Sequence, residues 1–211
     1  MTPLFRSVIA ATLLGLAIAA CSDDGSTTEP PAPGPEVPQA QLTFLRLAAD
    51  APPASNTSVS FWAVRGQDRE GSIYLRPRAG RTDSLELLNF KVGSNSLLTY
   101  PDGRAFQRGD SVRITIRIVD LSRLIFEFQP SGLRFSTRDP AELEIEYGEC
   151  DDDVNRDGRV DTNDDLARRQ FAIWRQEALG APWQRLSSLL DIDDEEVEAD
   201  IFGFTNHAIA Y

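Results

Sequence analysis

The sequence predicts an all-β protein: an antiparallel β-sandwich with one oxygen-rich loop and a short helix inserted between two of its strands. Three observations carry that expectation. Apolar side chains alternate with polar ones at period 2, as where Val112, Ile114, Ile116 and Ile118 alternate with Arg113, Thr115 and Arg117, so each run buries one face and wets the other. Turn chemistry recurs at short intervals, at Ala51-Pro52-Pro53, Arg65-Gly66, Pro101-Asp102-Gly103, Arg108-Gly109-Asp110 and Leu179-Gly180-Ala181-Pro182, which fits short strands better than alternating strands and helices. The chain has 211 residues, 41% of them apolar, which is enough to bury a core in one domain.

In chain order, residues 1–20 read as a signal peptide: Arg6, then an apolar run over residues 8–20, then a polar stretch. A membrane span needs about 20 apolar residues, so this run is too short for one. The junction Ile18-Ala19-Ala20-Cys21 resembles the lipobox of bacterial lipoproteins. That resemblance implies acylation of Cys21 and a mature chain anchored in the cell envelope, with Ser22 favouring the outer membrane over the inner. Residues 21–41 carry five prolines and no large apolar side chain except Val37, which predicts a disordered, extended tether.

The folded body is expected over residues 42–211. Besides residues 112–118, clear alternation marks strands at 124–129 and 143–147; weaker patterns mark 42–48, 59–65, 72–76, 85–92, 171–177, 197–202 and 207–211. Residues 126–147, 173–186 and 197–211 together resemble the ZU-five β-sandwich domain of ankyrins, netrin receptors and exported bacterial proteins. Pro130, Gly132, Leu133, Phe135, Trp183, Leu186, Phe204 and Thr205 carry the likeness. It implies an interaction or structural module without catalysis.

Residues 153–164 contain the sharpest chemical pattern. Asp153, Asn155, Asp157, Asp161 and Asp164 occupy positions 1, 3, 5, 9 and 12 of a twelve-residue loop, with Gly158 at the sharp turn and the carbonyl of Arg159 at position 7. This spacing is that of an EF-hand-like calcium loop, and it resembles the dockerin variety because position 12 is Asp rather than Glu. Residues 162–169 predict a helix of at most two turns after it. The bland alternative is a solvated acidic turn that binds no metal. Between residues 149 and 165 eight acids face only Arg156 and Arg159, so a cation would relieve strong repulsion. A structural staple is favoured over a sensor, because extracellular calcium fills sites of about 10⁻⁴ to 10⁻³ M affinity.

Other residues read as core or surface. Glu142, Glu144 and Glu146 fall on one strand face and read as solvated, and residues 191–200 read as an acidic turn entering the strand at Val197. His207 is the only histidine and stands outside any catalytic motif, so no enzyme is expected. Trp62, Trp174 and Trp183 are expected in the core, though exposed they would suit stacking on sugar rings. Arg76, Arg78 and Arg81 make a local basic patch, explained most simply by a chain with twenty Arg and one Lys. Cys150 is left unpaired once Cys21 is acylated, and its acidic neighbours are expected to raise its pKa. A net charge of -12 disfavours nucleic acid as a partner. The expected partners are the membrane, through Cys21, and an unidentified protein or polysaccharide. The rival to a structural envelope protein is a carbohydrate-binding or dockerin-like docking module.

Overall fold

In the computed structural model, which describes residues 34–211, period-2 alternation becomes antiparallel sheet. The expected signal segment and Cys21 lie outside the described residues. The strands are β1 (Glu36–Val37), β2 (Ser58–Val64), β3 (Arg69–Leu75), β4 (Leu85–Val92), β5 (Leu97–Thr99), β6 (Ser111–Asp120), β7 (Ile125–Gln129), β8 (Arg134–Phe135), β9 (Ala141–Glu146), β10 (Ala172–Gln176), β11 (Trp183–Arg185), β12 (Ser188–Asp191), β13 (Glu196–Ile201) and β14 (Asn206–Ala210). One α-helix, α1 (Thr162–Arg168), separates β9 from β10. A seven-stranded sheet runs β1-β11-β10-β14-β7-β6-β2, a five-stranded sheet runs β12-β13-β9-β4-β3, and β5 pairs with β8.

The two sheets share one apolar core. Ile114, Ile116, Phe126, Phe128 and Ile209 of the larger sheet lie in the same cluster as Ile73, Leu88, Phe90, Leu143, Ile145 and Val197 of the smaller, each almost fully buried. Phe90 meets Phe128 edge to face at 5.2 Å between ring centres, and Phe204 packs on both at 5.5 Å. Leu133 and Phe135 reach the same core from the segment after the cis Gln129–Pro130 peptide. The consecutive strands β2 and β3 are edges of different sheets, and Phe61 lies against Gly71 so closely that a Cβ there would stand 2.5 Å from the ring.

The structure departs from the sequence expectation in several places. Residues 42–48 are not a strand: Thr43 and Leu45 bond to Tyr211 and Ile209, then Arg46 and Ala48 bond to Asp151 and Glu149, so the segment crosses between elements instead of completing a ladder. Order also begins before residue 42, where a tether was expected. β1 pairs with β11, and Val37 and Leu42 pack on a second, smaller cluster of Phe44, Trp174, Trp183, Ala208 and Ala210. The short β5, β8, β11 and β12 were absent from the expectation, because two to four residues carry too little alternation to read.

Candidate metal centre

The oxygen-rich loop is the crossover between the sheets. It leaves β9 in the five-stranded sheet, ends in α1 and enters β10 in the seven-stranded sheet. Local rules explain α1. Asp161 is its N-cap, accepting from the Asn163 N–H, and Asp164 reaches back to the Asp161 N–H, which completes a capping box. Val154 and Ala167 face inward and join the main core beside Tyr147 and Phe171, so the loop is seated on the interior at both ends.

Within the loop the oxygens are held by the loop's own backbone. Asp153 accepts from the N–H of Asp157 at 3.1 Å and of Gly158 at 3.0 Å; Asn155 accepts from Asp157 at 2.8 Å; Asp157 accepts from Arg159 at 3.0 Å. Gly158 has φ of 84° and Arg156 φ of 61°, the left-handed geometry that wraps a chain around a point. Asp164 is fully shielded from solvent, with one oxygen accepting from Asn155 and the other from Asp161. The Asp161 N–H first, then those of Asn155 and Val154, hold its carboxyl below the usual range.

Among the described residues no group of three or more His, Cys, Asp or Glu side chains is gathered closely enough to hold a metal ion. The hydrogen bonds above account for the spread, since each carboxylate is turned toward N–H donors. A carboxylate oxygen has a second lone pair, so these bonds do not use up the donor set.

Charge pairs surround the loop. Arg46 binds Asp151 at 2.6 Å, Arg168 binds Asp165 at 3.2 Å and also Asp152, and Arg78 pairs with Glu149 and lies 3.7 Å from Asp50. Arg78, though exposed like Arg76 and Arg81, therefore belongs to the loop's surroundings. Arg156 donates to the Phe44 carbonyl at 2.7 Å, and Tyr211 donates its hydroxyl to the Val154 carbonyl at 3.1 Å. The amino-terminal segment and the last residue thus both grip the loop. Cys150 is a free, half-buried thiol, pushed up to about 12 by burial first and then by Glu149, Asp151 and Glu195.

The other candidates separate cleanly. His207 is fully buried against the edge of Phe128, 4.9 Å between ring centres, and burial pushes its pKa down to about 3, so its ring is neutral. Trp174 and Trp183 are buried, but on the outer side of the seven-stranded sheet, under residues 37–44. Trp62 is 59% exposed on edge strand β2, against the expectation of a core tryptophan, because Val59, Phe61 and Ala63 take the inward face. Glu142, Glu144 and Glu146 lie on the outer face of β9 as expected, yet half-buried and directly opposite Glu196, Glu198 and Asp200 of β13, a pairing that strand periodicity cannot reveal. Comparison with protein-family models, with curated proteins and with solved structures finds no match.

Proposed function

We propose that this chain is a lipid-anchored envelope protein whose β-sandwich is stapled by calcium at residues 153–164 and serves a structural or binding role without catalysis. The observation that carries the reading is the loop's position: it bridges the two sheets and is gripped by both the amino-terminal segment and the carboxyl-terminal residue. A cation there would tie all four together. The donor chemistry fits a hard ion: side-chain oxygens of Asp153, Asn155, Asp157, Asp161 and Asp164 and the carbonyl of Arg159, with no sulfur or imidazole among them. The dockerin-like spacing and the lipobox-like junction support the same reading from the sequence.

The experiment is thermal melting of the whole chain in neutral detergent, with chelator and with millimolar calcium. Binding to the folded form alone stabilises by RT ln(1 + [Ca]/Kd), about 2.7 kcal/mol at one hundred times Kd. Melting should rise by several degrees with calcium and by less with magnesium, which demands a tighter octahedron. Asp153→Ala and Asp157→Ala should each abolish the increment. Superimposable melting curves, together with no heat of calcium binding, would refute the staple.

A further inference from the structure

We propose that the outer face of the five-stranded sheet is a proton-operated device, in which the carboxylate pairs that β9 and β13 set opposite one another share protons in mildly acid surroundings and loosen the β12–β13 hairpin when the pH rises past neutral. The register makes the case. Glu146 stands opposite Glu196, Glu144 opposite Glu198 and Glu142 opposite Asp200. Directly opposed residues of an antiparallel pair have Cβ atoms about 4.5–5.5 Å apart, and like charges at that separation repel. Two carboxylates so placed cannot both ionise without cost, and one proton between them converts repulsion into a hydrogen bond.

The groups around the ladder come from every neighbouring strand. On the far side of β9, β4 places Lys91 opposite Glu142 and Asn89 opposite Glu144, and Glu86 lies near Glu146. Lys91 donates to Glu142 at 2.9 Å and to Glu144 at 2.8 Å, so those two acids have a cation. β3 adds Glu70 opposite Lys91 and Tyr74 opposite Glu86. β12 and its turn add Asp191 and Asp194 beside Glu196. At the Glu146 end every charged neighbour named is an acid: Glu86, Glu144 and Glu196.

Two buried acceptors there also lack a donor, Glu86 Oε1 and Asn89 Oδ1. A protonated carboxyl supplies the O–H that an ionised one cannot. Burial first, then Glu86, Glu144 and Glu196, push the Glu146 carboxyl up to about 7. Glu196, Glu198 and Asp200 are likewise raised, each by burial first.

The sign follows from proton counting. Glu146 in the fold binds its proton up to about 7, whereas a free glutamate releases it near 4.5. The folded chain therefore binds more protons across that window, and stability falls as the pH rises through it. Since β12–β13 forms one edge of the sheet, the repulsion acts across its attachment to β9.

The test measures melting, and protection of β13 amides relative to unfolded rates, for the whole chain in neutral detergent with chelator at pH 5.5 and 8.5. The unaltered chain should melt about 5 °C lower at pH 8.5, with protection lost first in β13. Glu146→Gln should remove most of that difference, and Glu196→Gln should act alike should the first variant fold poorly. Asp83→Asn, the same charge change on an exposed loop, should leave the difference intact. Equal melting at the two pH values, or equal flattening by Asp83→Asn and Glu146→Gln, would overturn the proposal, the latter assigning the effect to net charge alone. Because chelator is present throughout, failure here leaves the calcium reading untouched.

Discussion

Gly158 adopts φ of 84° with nothing within 4 Å of the place a Cβ would occupy, so its constraint is conformational rather than one of space. Its N–H is also one of the two that hold Asp153. A side chain there would strain the backbone by roughly 1–2 kcal/mol, more for a β-branched residue and less for Asn, which visits this region routinely. Gly158→Val should lower stability in chelator by that amount and weaken calcium binding, while Gly158→Asn should retain most of both. Titration calorimetry beside chelator melting checks this; a Gly158→Val chain that binds calcium unchanged would mean that the turn plays no part in the site. Cys150 illustrates the opposite kind of residue. Its raised thiol keeps the thiolate scarce near neutral pH, so it is inert by environment.

The element that most changes the picture of the chain is the amino-terminal segment. β1 extends the seven-stranded sheet, and Phe44 meets Trp183 edge to face at 5.1 Å while Trp174 donates its indole N–H to the Ala210 carbonyl at 2.9 Å. Residues 37–44 thereby seal a second apolar layer outside the sheet. Phe44→Ala should cost about 3–5 kcal/mol, and it should shift tryptophan emission to the red as Trp183 meets water. Unchanged emission and stability would mean the strap is dispensable. The same strap receives Arg156 from the loop, so removing it should also weaken calcium binding.

At the scale of the whole molecule, the proposed anchor at Cys21 precedes in sequence the strap that Arg156 of the proposed staple binds. Twelve residues lie between Cys21 and Gly34, the first described residue. An acylated Cys21 should label with palmitate analogues and fractionate with membranes, and Cys21→Ser should be released or accumulate as uncleaved precursor. Equal acyl labelling of the two forms would refute the anchor.

What the sequence by itself determined is whatever depends on near neighbours along the chain. Alternation placed β2, β4, β6, β7, β9, β10, β13 and β14 to within a residue or two, and the short helix expected over residues 162–169 matches α1 to within one. The backbone N–H groups that hold Asp153 and Asn155 likewise lie two to five residues away along the chain. Only the tertiary structure decided which faces meet. Residues 42–48 alternate like a strand but cross between elements, since their hydrogen-bond partners lie over a hundred residues away around positions 149–151 and 209–211. Trp62 points outward because Phe61, its neighbour on β2, lies against Gly71 and Ala63 is buried on the same face, a contact no local pattern encodes. The acidic ladder exists because β9 and β13, distant in sequence, pair in one register and not the next. A shift of a single residue would turn Glu144 toward the core and dissolve it.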